Sequence, residues 1–198
     1  MKLMRKTARK IGINVLLLSL VSFLNDASSE IIMPILPLFI ISLGGDEIVI
    51  GLVSGSMNFV SSTIKALFGF LSDKLGRRKP IVFSGYLLSA LFKFLLALST
   101  IWQHILAFTS LERVGKGIRT APRDAMISES MPKEKGKGFG IHRALDTLGA
   151  IIGAVLAFIL IYNLEIPIRN VLIIAALISF FSLIPFIWVK ETRGRKET

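Results

Sequence analysis

The chain contains no cysteine, so neither a disulfide nor a thiolate metal site can organise it. Charge is also scarce: 19% of its 198 residues are charged, against about 25% in soluble domains. Acids are the rarer sign, 13 against 24 bases. The alternating segments of a β-barrel are missing too, because the apolar stretches are continuous and rich in Leu, Ala and Gly. No metal-ligand spacing, nucleophile elbow or phosphate loop occurs, and Gly115-Lys116-Gly117 lacks the preceding strand and spacing of a P-loop. Nothing supports an enzyme, and no cofactor is expected.

What is present is apolar surface, 53% of residues with a mean hydropathy of +0.68. That composition predicts an integral membrane protein of the all-α class. A helix needs roughly 20 apolar residues to cross a 30 Å hydrocarbon layer, and six segments suit: 13–43, 47–71, 80–98, 101–129, 139–162 and 168–189. They form one six-helix bundle over residues 1–189, followed by a basic tail over 190–198. The basic start and the apolar run to Leu24 imitate a secretory signal, but no small-residue cleavage site follows, so an uncleaved first helix is expected.

A net charge of +11 would point a soluble chain to nucleic acid; here the distribution gives a better account. Lys2, Arg5, Lys6, Arg9 and Lys10 precede the first helix. Lys74, Arg77, Arg78 and Lys79 fill the second connection, and Lys133, Lys135 and Lys137 the fourth. Lys190, Arg193, Arg195 and Lys196 follow the sixth helix, whereas the odd-numbered connections hold only Arg169. This positive-inside pattern predicts a plasma-membrane protein with both termini in the cytoplasm and no nucleic-acid partner.

Polar residues interrupt two of the apolar segments. Asn25-Asp26-Ala27-Ser28-Ser29-Glu30 lies mid-way along the first helix, and Asp26 and Glu30, four apart, share a face with Ser22, Ser29 and Met33. A charge at a helix centre in lipid costs at least about 2.5 to 3.5 kcal/mol, so the two acids should face a wet cavity or a cation. Pairing with bases purely for assembly is the competing reading. Pro34 and Pro37 predict a kink just beyond them. In the fourth helix Glu112, Arg113, Lys116, Arg119, Thr120, Arg123 and Asp124 fall within about half the circumference. If this segment did not span, the basic connections at 74–79 and 133–137 would lie on opposite sides. It therefore spans, with its charged stripe inward.

Gly51 and Gly55, and Gly149, Gly153 and Ala157, have the spacing of close helix contacts. Asn58, Ser62, Lys65 and Gly69 share a face of the second helix, where Lys65 can snorkel; Lys93, at the outer end of the third, is expected to do the same. In the fifth helix Arg143 can reach Asp146 within a turn, and a local pair is favoured over a proton relay through His142.

The run Gly69-Phe70-Leu71-Ser72-Asp73-Lys74-Leu75-Gly76-Arg77-Arg78 resembles the cytoplasmic signature between helices two and three of the major facilitator superfamily. Arg113, Gly117, Arg119 and Ala121 are similar to that family's helix-four pattern. The resemblance covers essentially the whole chain and implies one half of a transporter built as a 3+3 inverted repeat. It implies that Gly69 and Gly76 serve close approach and reversal, and that Asp73, Arg77 and Arg78 join a cytosolic gating network with Asp124 as helix-four partner. It also places Asn25, Asp26, Glu30, Arg113 and Lys116 on a substrate or proton pathway, beside the stripe residues Arg119 and Arg123. Ala154 stands where the helix-five antiporter signature has proline, so antiport is not inferred.

Family members have two such halves. The expected partners are therefore a small solute, membrane lipid and a second six-helix half, supplied by homodimerisation or a separate chain; a split gene or a truncated product is the favoured origin. The function expected is proton-coupled secondary transport by alternating access. The alternatives are a non-transporting scaffold or regulatory half-bundle and, more weakly, an oligomeric channel.

Overall fold

The computed structural model describes residues 12–192. The bases Lys2, Arg5, Lys6, Arg9 and Lys10, and Arg193, Arg195 and Lys196 of the tail, lie outside the described residues. Among the described residues all regular structure is helical. Helix one is Ile13–Ile32 continued by Leu36–Ser42, helix two Glu47–Leu75, helix three Lys79–Ala97 and helix four Trp102–Ser130. Helix five is Lys135–Phe158 with a π-helical turn Ile159–Asn163, and helix six is Ile168–Phe181 continued by Leu183–Phe186.

Local chemistry sets the ends. Asp46 caps helix two, its carboxylate accepting from the Val49 N–H at 2.9 Å. Helix two ends at Gly76, whose φ of +63° closes the last turn in a conformation that favours glycine. Four residues later Pro80, in the first turn of helix three, needs no donor there. Helix one breaks over Met33–Ile35, where Pro34 and Pro37 remove backbone donors.

Five helices are long and apolar enough to cross a membrane. The exception is helix four, whose 29 residues give about 44 Å of length but whose charges spoil its hydropathy. The tightest pairings are one with five, three with four and two with four, followed by three with six and one with six. Exchanging helices one to three for four to six leaves this set unchanged: one with five becomes four with two, three with four becomes six with one, and three with six maps on itself. That is the pairing of two similar three-helix units.

Close contacts rest on small residues. A Cβ on Gly149 would strike the Phe23 carbonyl and one on Gly153 the Ala27 carbonyl, so helices one and five touch backbone to backbone. Gly85 and Gly115 do the same for three and four, each hypothetical Cβ lying 2.7 Å from the other's carbonyl oxygen. Gly51 and Gly55 differ from expectation: nothing lies within 4 Å of a Cβ at either, because they face outward.

Two apolar clusters form the core. Val15, Leu18, Val82, Tyr86, Met126 and Phe186 pack near the end of the bundle that carries Gly69 to Lys79, called the basic end below. Ile31, Phe39, Val53, Ile105, Val171 and Leu172 pack toward the other end. Between the clusters runs a seam of buried polar groups. Helix one is the central element, 61% of its apolar window being buried against 11% for helix two. Phe59, Phe70, Ile151 and Phe158 on helices two and five stay exposed, a surface suited to lipid or to another protein.

Candidate functional site

The seam is built around the polar turn of helix one. Lys93 of helix three is only 2% exposed, and its ammonium donates to the Asn25 carbonyl at 3.1 Å, Ser28 Oγ at 3.1 Å and Ser29 Oγ at 2.9 Å, with Asn25 Oδ1 at 3.4 Å. Ser179 of helix six donates to Asn25 Oδ1 at 3.0 Å, and Ser28 donates to the Ala175 carbonyl at 2.6 Å. The expectation that Lys93 snorkels outward is therefore corrected. Side chains on a helix lean toward its N-terminus, which carries the long lysine stem back from the outer end and into the seam.

One turn along, the Asp26 carboxyl comes within hydrogen-bonding reach of the Asp146 carboxyl of helix five, where the glycine contacts bring the two helices together. Lys116, Arg119 and Arg123 of helix four supply the positive charge around Asp26. Arg143 lies 3.6 Å from Asp146, the local pair expected. Glu30 is half-buried and forms no ion pair among the described residues, so it does not join Asp26 in this cluster.

The helix-four stripe divides between two faces. Arg119, 2% exposed, donates to Ser89 Oγ at 2.5 Å and stacks over the Tyr86 ring at 4.5 Å, so it fills the interface with helix three. Arg123 donates to Ser22 Oγ at 2.9 Å and to Asp124 at 3.0 Å. Arg113 lies against its neighbour Glu112 at 3.3 Å and points Nη2 at the Met33 sulfur at 3.6 Å. Beside it a cavity of about 250 Å³ opens between helices one, two and four, lined by Met33, Pro37, Ser54, Met57, Asn58 and Arg113. A tighter recess joins it through Met33, Met57 and Arg113 and ends at Phe92, Lys93, Phe108 and the buried Glu112. The combination offers an apolar, thioether-lined wall with a guanidinium, an amide and a carboxylate at its base.

At the basic end a separate group of charges forms a clamp. Arg78 is paired with Asp73 at 2.9 Å and with Glu129 of helix four. The Glu191 carboxylate, beyond helix six, accepts from the Arg78 and Lys79 N–H groups at 3.0 and 3.1 Å. Asn14 fastens the same segment, donating to the Lys190 carbonyl and accepting from its N–H, both at 2.8 Å. Burial works against the Arg78 charge, but hydrogen bonds and charges from Glu129 and Asp73 outweigh it and hold the guanidinium above its usual range.

Two members of the expected gating network sit elsewhere. Asp124 is turned to Arg123, and Glu129, five residues and about 7.5 Å further along the helix, is the acid that reaches the loop. Arg77 is exposed and forms no ion pair among the described residues, because the reversal at Gly76 points it outward while Arg78 folds back. Gly69 packs on Ala121, 3.4 Å from a Cβ placed there.

Sequence reasoning passed over Lys93 as a site member and read Asp146 as a local partner only. Asp146 was findable: with Gly149 and Gly153 it shares the face of helix five that meets helix one. Glu129 carried no comparable signal.

The site is thus a mixed-charge seam beside an open cavity, in a bundle with five helices long and apolar enough to span a membrane. Comparison with known proteins gives the class: the sequence profile of the Major Facilitator Superfamily matches residues 18–198. The chain belongs to that family and is an integral membrane protein. It is similar to an uncharacterized MFS-type transporter of Methanocaldococcus jannaschii, 55% identical over 183 residues that cover 92% of this chain and 46% of the relative. It is 31% identical over 130 residues to the multidrug resistance protein MdtH of Photorhabdus laumondii, covering 64% of this chain and 32% of that protein. The chain thus spans less than half the length of these relatives. In fold it is similar to a peptide transporter POT, with a TM-score of 0.75 at 20% identity over 87% of this chain and 37% of that one. A bacterial homologue of the human lysosomal transporter Spinster, inward-facing and unoccupied, gives a TM-score of 0.76 at 15% identity over 92% of this chain and 44% of that one.

Proposed function

We propose that the chain is half of a secondary transporter of the plasma membrane, with both termini cytoplasmic, moving a small solute by alternating access and coupled to protons through Asp26 or Glu30. The observation that carries the reading is the seam itself. Ionisable groups buried midway along membrane helices are costly and mark ion or substrate paths, and here they border a cavity open on one side. A second six-helix half, from another copy or a separate chain, closes that side and supplies the opposing wall. In this reading the clamp of Asp73, Arg78, Glu129 and Glu191 holds the cytoplasmic end, and its rearrangement accompanies switching. Asn25, Arg113 and Lys116 border the path. A pure scaffold would gain little from these charges.

The test is proteoliposome flux under an imposed pH gradient, followed with an entrapped pH indicator. The name of the MdtH relative makes drugs the first solutes to try, alone and with a candidate second half. Solute-dependent proton movement that is lost in Asp26→Asn, in Glu30→Gln or in both supports the reading as stated. Movement that survives both changes overturns the proton role. No solute flux in the homo-oligomer or in a reconstituted complex overturns transport itself.

A further inference from the structure

We propose that Asp26 and Asp146 together form a proton-binding site, a single proton shared between two carboxyls on helices one and five, with His142 passing it toward the basic end. The inference deepens the proton-coupled reading above and rests on it for its role in transport, but not for the existence of the site.

Three independent observations converge. The first is contact: the two carboxyls lie within hydrogen-bonding reach of each other, and at that range they attract only while one of them holds a proton, since two carboxylates repel. The second is the cause of the contact. Gly149 and Gly153 seat on the carbonyls of Phe23 and Ala27, the residues that bracket Asp26, so the backbones fix the separation and the acids cannot drift apart singly. The third is what is left unbonded. Asp146 Oδ1 and both ring nitrogens of His142 are buried without a hydrogen-bond partner. His142 precedes Asp146 by four residues and shares its helix face, on the side toward the basic end. Leaving such groups unbonded inside a bundle is costly.

The surroundings are mixed. Lys116, Arg119 and Arg123 of helix four and Lys93 of helix three face Asp26, while Arg123 and, from helix five, Arg143 reach Asp146. Tyr86 of helix three faces Arg123, and Glu30 lies one turn beyond Asp26 without touching Asp146. When the proton leaves, it passes through a ring nitrogen of His142 and on toward the basic end, without resting on the imidazole beside Arg123, and both aspartates become carboxylates. The bond between helices one and five is replaced by repulsion, partly balanced by the three helix-four bases. Those two helices belong to opposite three-helix units, so proton loss acts directly on the contact between units. In this geometry Asp146, and not Glu30, is the partner of Asp26.

Infrared spectroscopy of the full chain in lipid nanodiscs tests this with the proton and deuteron as the only probes. Across a pH titration, the wild-type protein is expected to show a hydrogen-bonded, protonated-carboxyl stretch that shifts on deuteration. Asp26→Asn and Asp146→Asn should each abolish it, the double variant no more than either, and Glu30→Gln should leave it in place. His142→Phe should keep the band and slow its deuterium exchange on the order of 100-fold, the size of a general acid-base contribution. Should one aspartate variant fail to fold, the other and Glu30→Gln still decide. A band that survives Asp146→Asn, or is lost in Glu30→Gln, overturns the pair, and exchange unchanged in His142→Phe overturns the relay. Absent proton-driven flux with the band intact refutes transport and leaves the site standing; flux without the band does the reverse.

Discussion

The seam and the clamp are both charged, buried in part and assembled from several helices, yet they solve opposite problems. In the clamp each member meets its complement: Arg78 has Asp73 and Glu129, and the Glu191 carboxylate has two backbone donors. In the seam the hydrogen bonds of Lys93 go to neutral oxygens, Asp26 faces another acid as well as the helix-four bases, and Glu30 forms no ion pair among the described residues. Complementary pairs at a bundle end fix a geometry. Mismatched groups at mid-depth keep their charge state conditional, which is what a site that exchanges protons or solute requires. In the transport reading proposed above, the clamp would set which way the bundle stands and the seam would respond to proton or solute.

The largest effect is expected from separating the seam mechanically. Gly153→Leu places a side chain against the Ala27 carbonyl, a backbone atom that cannot yield, and overpacking of this kind costs about 3 kcal/mol. Unfolding in detergent should show that loss, and combined with Glu129→Gln the two losses should add, because the regions share no partner. Marked non-additivity would mean that seam and clamp are one network. Asn25→Leu comes next. It strips an acceptor from the Lys93 ammonium and from Ser179, at about 2 kcal/mol. Full stability in that variant would show that the cage around Lys93 does not depend on Asn25.

The sequence carries the fold well and the pairings poorly, and the reason is depth. Hydrophobic runs and the bias of basic residues are one-dimensional signals, and they read out as six helices with little loss. The sharing of a face by Asp146, Gly149 and Gly153 is also one-dimensional, and it marks helix five as the neighbour of something close-packed. Which helix that neighbour is comes only from tertiary packing. Lys93 shows the limit most sharply: its position near the end of helix three suits a snorkelling lysine, and only the polar turn of helix one opposite makes burial the better outcome. Asp124 and Glu129 are both acids near the end of helix four, and a rise of 1.5 Å per residue decides which one meets Arg78.

Glu129→Gln sharpens the clamp side of the comparison. It leaves the shape and removes the charge facing Arg78, and a loss of about 1 kcal/mol is expected for this partly buried pair. The pH dependence follows from the direction of the Arg78 shift. A base whose folded-state range lies above its unfolded one contributes fully below the unfolded value and loses that contribution only as pH rises through the folded one. Arg78 therefore stays charged throughout the neutral range, and its contribution should not vary there. Added salt should shrink the wild-type advantage. A salt-independent difference in melting would show that Glu129 acts through packing.

Glu30→Gln should change least. Glu30 has no ion pair among the described residues, and substitutions away from special features stay within about 0.5 kcal/mol. The same neutrality makes it the most discriminating variant for the seam. A carboxylate that no neighbour holds in this arrangement is free to act when the helices rearrange, whereas one engaged with Asp146 acts by letting go. If Glu30→Gln leaves stability alone but abolishes proton-coupled flux, helix one carries two acids used at different stages of one cycle. If it leaves both unchanged, coupling reduces to Asp26 and its partner across the helix-five contact, and the seam is a single proton site with a solute cavity beside it.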